Sequence, residues 1–149
     1  MLVRIPILLR VPLIYLLIIA NTVIRVSLLL LCALLKALLP IKSLQVLLDR
    51  WIIGLAEAWI GFNSWMMDHM TTMQVHYRED SALAANGHYL VLSNHQSWVD
   101  ILVLQKVFNK RIPFMRFFLK KELFWVPMLG LAWWALDFPF MQRYTKSKL

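Results

Sequence analysis

Residues 89–100, Tyr89-Leu90-Val91-Leu92-Ser93-Asn94-His95-Gln96-Ser97-Trp98-Val99-Asp100, hold the sharpest change of character in the chain. The first four are apolar and read as a short buried strand. Asn94 to Ser97 form a polar break, and a helix is expected from there to about Phe108. Working outward, Met73, Val75 and Tyr77 alternate with Gln74, His76 and Arg78, the period of a strand. Glu79-Asp80-Ser81 and Asn86-Gly87 bracket the loop between these two strands. Downstream, Asn109-Lys110-Arg111 turns the chain into a third strand, Ile112 to Phe117. Helical stretches over 120–124 and 127–136 then precede a last apolar run, Phe138 to Met141. Strands alternating with helices predict an α/β layer.

The upstream third has a different composition. Residues 11–35 are apolar except for Asn21, Thr22, Arg25 and Ser27, and sixteen of them are Val, Leu or Ile. On an insertion scale these sum to about −7 kcal/mol, against about +3 kcal/mol for Arg25 at a helix centre. The segment therefore enters a bilayer. A helix over 11–35 is about 37 Å long, enough to span with tilt; alternatively, Arg25 marks a bend between two shorter helices dipping into one leaflet. Arg4 and Arg10 precede the segment and Lys36 and Lys42 follow it, so the charge rule does not orient it. The apolar run is too long for a cleaved leader, and Ile18-Ile19-Ala20 is not a small-x-small cleavage site.

Pro40 closes that element. From Ser43 to Asp68, Leu44, Leu48, Trp51, Leu55, Trp59, Phe62 and Met66 recur every three or four residues, with Gln45, Asp49, Glu57, Ser64 and Asp68 between them. That is the pattern of an amphipathic helix. Trp51, Trp59 and Trp65 suit the headgroup zone of a membrane, or else pack on the protein's own core. The organisation expected is thus a membrane anchor over 1–40, an interfacial helix over 43–70, and a strand/helix domain over 72–149.

The chain of 149 residues has room for about one domain. Its 60 % hydrophobic and 16 % charged content sets it apart from ordinary soluble domains. The lone Cys32 lies in the apolar stretch, which excludes an intrachain disulfide and disfavours a reactive thiolate. The net charge of +8 is concentrated downstream, where residues 101–149 carry nine basic side chains against Glu122 and Asp137. Beside a membrane anchor this points to anionic phospholipid headgroups or phosphate-bearing substrates rather than nucleic acid; a solvated basic face is the plain alternative.

The chemistry sits in the block that opened this section. His95 leaves the C-terminal end of the expected strand, where ligands of α/β sheets gather, and Asp100 follows in the first turn of the expected helix. A carboxylate on one ring nitrogen fixes the imidazole tautomer and stabilises the imidazolium formed when the other nitrogen takes a proton. Such a pair can deprotonate an alcohol attacking a carbonyl, with no serine or cysteine nucleophile. Of the four histidines only His95 has an aspartate five positions on. The competing reading makes Asn94 and Asp100 turn and helix-cap residues.

Asn94-His95-x-Ser97-x-x-Asp100 resembles the signature block of the glycerolipid acyltransferases. Phe118-Leu119-Lys120-Lys121-Glu122-Leu123 and Trp125-Val126-Pro127-Met128-Leu129-Gly130 resemble the lysine-bearing and Pro-x-x-Gly stretches that follow it. Phe140-Met141-Gln142-Arg143 resembles the second block, which ends in an arginine. The resemblance covers about residues 72–149. The run from Trp133 to Phe140 and the long anchor look most like a bacterial inner-membrane branch, related to lysophosphatidate and lysocardiolipin acyltransferases. What this implies is transfer of a fatty acyl group from an acyl thioester, on coenzyme A or acyl carrier protein, to a lysophospholipid hydroxyl. His95 would be the general base and Asp100 its partner. Arg143 would bind the acceptor phosphate, with Asn94 and Ser97 shaping the turn at the substrate. The resemblance implies neither metal nor cofactor, a membrane phospholipid and an acyl donor as partners, and a site facing the cytoplasm.

The family's third block, a Glu-Gly-Thr-Arg-like turn, is absent from these residues. The expectation is therefore a truncated reading frame or fragment, with an incomplete acyltransferase layer. The rival to an enzyme is a non-catalytic remnant or interaction module held by the anchor.

Overall fold

The computed structural model describes residues 6–78, 83–94 and 96–142. Its elements are α1 (Ile7–Leu38), α2 (Lys42–Met70), α3 (Trp98–Phe108), β1 (Leu119–Lys120), a 3-10 helix (Lys121–Trp125), α4 (Leu129–Ala135) and β2 (Phe140–Met141). By internal contacts the chain divides into two compact units, Met1–Ile24 with Ala56–Met115, and Arg25–Leu55 with Arg116–Leu149. Both long helices contribute to each.

α1 has 32 residues, roughly 48 Å of helix, and is long and apolar enough to cross a membrane. It runs unbroken through Arg25, which removes the reading of a bend there. Pro40 follows its end, and α2 starts two residues later and covers the expected amphipathic stretch.

In the first unit, α1 and α2 meet through polar groups set in apolar surroundings. Asn21 Nδ2 donates to Asn63 Oδ1 at 3.1 Å and to the Trp59 carbonyl at 3.3 Å. Trp59 Nε1 donates to Thr22 Oγ1 at 3.0 Å, so this indole serves the helix pair rather than a headgroup. Both asparagines are buried, and the Asn63 amide oxygen is satisfied by the Asn21 donor, as burial of such groups requires. Trp51 and Trp65 are exposed, the latter stacked between Phe62 and His69. Ile60, Met66, Met67, Met70 and Ile112 form the apolar core of this unit.

In the second unit, Val26, Leu29 and Cys32 of α1 and Leu48 and Ile52 of α2 are buried at helical spacing, and Lys36 pairs with Asp49. Its downstream part is a small knot. β1 and β2 pair in parallel, Leu119 opposite Phe140 and Lys120 opposite Met141. Leu119, Ala132, Leu136 and Phe138 are buried there, and Phe124 packs edge-on to Phe140. Arg116 Nε donates to the Leu136 carbonyl at 2.6 Å, a cation on the last turn of α4.

The described residues are therefore mostly helical, with one two-stranded parallel sheet. The expected strands at Met73–Tyr77, Tyr89–Leu92 and Ile112–Phe117 are corrected: these segments are not in a ladder. Nor is Tyr89–Leu92 buried, since Leu90 and Leu92 are 76 % and 84 % exposed. Alternation and β-branching favour extended backbone, but a strand also needs a neighbour to receive its N–H and C=O groups. Among the described residues that neighbour exists only for residues 119–120 and 140–141.

Candidate active site

The turn into α3 is built by a reciprocal cap. Ser97 is the N-cap, extended at φ −150°, and its Oγ accepts the Val99 N–H at 3.3 Å. Asp100, three residues into the helix, reaches back with Oδ2 to accept the N–H of Ser97 at 2.7 Å and of Gln96 at 2.6 Å. A capping box leaves fewer orphan donors at a helix start, and a carboxylate there also faces the positive end of the helix dipole. The amide of Gln96 is the peptide joining it to residue 95. The Asp100 carboxylate is thus held by the backbone N–H groups of Gln96 and Ser97.

The expected site residues fall into two groups. Asn94, Ser97 and Asp100 are described; His95 and Arg143 lie outside the described residues. The structure brings Ser97 and Asp100 together in the cap, with the intervening helix turn closed by the Asp100 N–H on the Ser97 carbonyl at 3.2 Å. Asn94 is exposed, and its carbonyl accepts the Ser93 hydroxyl at 3.0 Å. The cap reading of Asp100 weighed from sequence is therefore present, with Ser97 rather than Asn94 as the N-cap. A carboxylate has two oxygens and about four acceptor positions. Both cap bonds go to one oxygen, Oδ2.

α3 carries this turn with its side chains from Ile101 to Phe108 part-buried and none fully so. Its far end is tied to α2: Lys106 Nζ pairs with Asp68 Oδ1, and Asn109 Nδ2 donates to the Glu57 carbonyl at 3.3 Å. Sequence reading missed both ties, since nothing local marks a pair separated by 38 or 52 positions. A shallow, solvent-open depression lies beside them, lined by Glu57, Ile60, Gln105, Phe108 and parts of the segment from Asn109 to Met115.

The Pro-x-x-Gly stretch gains a physical reason. The chain turns at Met128, with φ 61°, and brings Gly130 against the preceding 3-10 helix. A Cβ at Gly130 would lie 1.8 Å from the Phe124 carbonyl oxygen, so only glycine fits. Among the described residues no group of three or more His, Cys, Asp or Glu is placed to hold a metal ion. Cys32 is a buried free thiol.

Residues 74–149 match the family model described as Acyltransferase. No curated protein and no solved structure matches the chain.

Proposed function

The chain belongs to the acyltransferase family, and from that membership we propose that it transfers a fatty acyl group from a thioester to the hydroxyl of a lysophospholipid such as 1-acylglycerol-3-phosphate. His95 takes the proton as the acceptor oxygen attacks the thioester carbonyl. The new C–O bond forms, the C–S bond breaks, and the proton passes to the departing thiolate, giving the free thiol of coenzyme A or acyl carrier protein. Asp100 orients the imidazole and balances its charge when protonated. Arg143 binds the acceptor phosphate through its planar set of donors. Asn94 and Ser97 shape the turn at which the acceptor binds.

The observation that supports this reading best is the placement of the Asp100 carboxylate, within 2.6 Å of the Gln96 amide that follows residue 95. A cap residue alone needs no neighbouring histidine; a histidine base is helped by a carboxylate held in a fixed turn nearby in the chain. The exposed apolar surface of α1 supports a membrane setting, where a lipid acceptor resides. In line with the resemblance, that membrane is the bacterial inner membrane, with the site on its cytoplasmic face.

The test is to supply labelled acyl-CoA or acyl carrier protein, with lysophosphatidic acid, to membranes bearing the chain. Formation of labelled phosphatidic acid above that of membranes without the chain is expected. Its absence with both donors and with other lysophospholipid acceptors would favour the second reading, a non-catalytic module held by α1.

A further inference from the structure

α3 presents a question of mechanics. It carries Asp100 in its first turn, yet none of its side chains is fully buried, and those from Ile101 to Phe108 are only part-buried. Polar ties at its other end add to that partial packing. Lys106 keeps only 18 % of its side chain exposed, low for a lysine, and meets Asp68. Asn109, the C-cap of α3, donates to the Glu57 carbonyl, beside Gly61, where a Cβ would stand 3.9 Å from its Nδ2. On α2, positions 57, 61 and 68 fall on one stripe, since eleven residues make about three full turns. On α3, Lys106 and Asn109 are three apart and share a face. Two fastenings, about 16 Å apart along α2, fix direction as well as position, which one contact alone cannot do. α2 is in turn joined to α1 by the Asn21–Asn63 and Thr22–Trp59 hydrogen bonds.

We propose that Asp68, Lys106 and Asn109 are positioning residues, which fasten the Asp100-bearing turn to the helix that pairs with the membrane anchor and so set where the site meets a bilayer-borne acceptor. The kinetic side of this inference rests on the acyl-transfer reading; the mechanical side does not. An acceptor in a bilayer arrives along a fixed plane, so a loosened α3 misplaces the site towards it. A donor arriving from water has no such plane. The two substrates should therefore respond differently.

The experiment uses the full chain in vesicles of phosphatidylethanolamine and phosphatidylglycerol. Variants are Asp68→Ala, Lys106→Ala, Asn109→Ala and the charge-swapped pair Asp68→Lys with Lys106→Asp. Amide exchange over residues 98–108 is expected to speed up in each single variant and to recover in the swapped pair, with exchange over 42–55 unchanged. KM for lysophosphatidic acid in the vesicle is expected to rise about three- to tenfold, while KM for acyl-CoA stays at the parent value. Unchanged exchange in all three single variants overturns the proposal, whether or not the chain shows activity. Equal changes in both KM values overturn the positioning role and leave the ties merely structural. A parent chain that forms no product rejects the acyl-transfer reading instead, and the exchange data then decide the mechanical claim.

Discussion

Asp100 Oδ2 accepts the backbone N–H of Ser97 at 2.7 Å while the Ser97 side chain caps the same helix turn, so each residue holds the other in place. This reciprocity allows the cap function of Asp100 to be separated from its charge. In Asp100→Asn the amide oxygen can still accept the Ser97 and Gln96 N–H groups, but the negative charge is gone. α3 should keep its stability within about 0.5 kcal/mol, whereas acyl transfer should fall by about one to two orders of magnitude. Asp100→Ala should lose both, with about 1 kcal/mol of helix stability. Amide exchange over residues 98–102 alongside a transfer assay distinguishes the two; an asparagine variant of full activity would reduce Asp100 to a cap.

Gly130 makes a sharper prediction. Because its position lies against the Phe124 carbonyl, Gly130→Ala cannot be accommodated without moving backbone. The variant should lose more than about 2 kcal/mol, as overpacked sites do. The loss should show as faster exchange across residues 119–141, whose elements share that small core. Leu131→Ala, a truncation on the exposed side of the same helix, should change little.

The α1–α2 pairing rests in part on a buried amide pair. Asn21→Leu strands the Asn63 side chain and should destabilise the helix pair by about 1–3 kcal/mol. The double variant Asn21→Leu with Asn63→Leu should recover most of that, because neither polar group is left without a partner. Resistance of the detergent-solubilised chain to heat measures both. Recovery no better than the single variant would mean that the pair matters for geometry rather than satisfaction.

Arg116 should tolerate even a conservative change poorly. Its Nε donates to the Leu136 carbonyl while Nη2 lies 3.9 Å from Asp137 Oδ2, a spread that a lysine ammonium cannot match. Arg116→Lys should cost about 1 kcal/mol, in the range of a charged hydrogen bond partly recovered. Thermal unfolding followed by tryptophan fluorescence would register it.

These elements also show what a sequence can display. α1 and α2 were legible because their signals are local: an apolar run for one, a stripe of Leu, Trp and Met at helical spacing for the other. The helix after Ser97 was legible for the same reason, as its cap is written within four residues. Strands were not. Met73 to Tyr77 alternate as a strand should, yet pairing depends on a distant neighbour that no local pattern names, and among the described residues only Leu119–Lys120 and Phe140–Met141 find one. At the site, sequence offered two readings of Asp100, base partner or cap, and the geometry shows the cap. The fastening of α3 by Asp68 and Glu57 was invisible because its partners lie far apart in the chain. The glycine of Pro127-Met128-Leu129-Gly130 was recognisable as a pattern, but its reason, a carbonyl against its α-carbon, appears only in three dimensions.

The central claim is that an imidazole at position 95 removes the acceptor's proton. The most direct measurement compares phosphatidic acid formation from acyl-CoA and lysophosphatidic acid by membranes bearing the parent chain and its His95→Ala variant, at matched protein levels. The account predicts product from the parent and a fall of about a hundredfold or more in the variant. Product formed at equal rates by the two would contradict it.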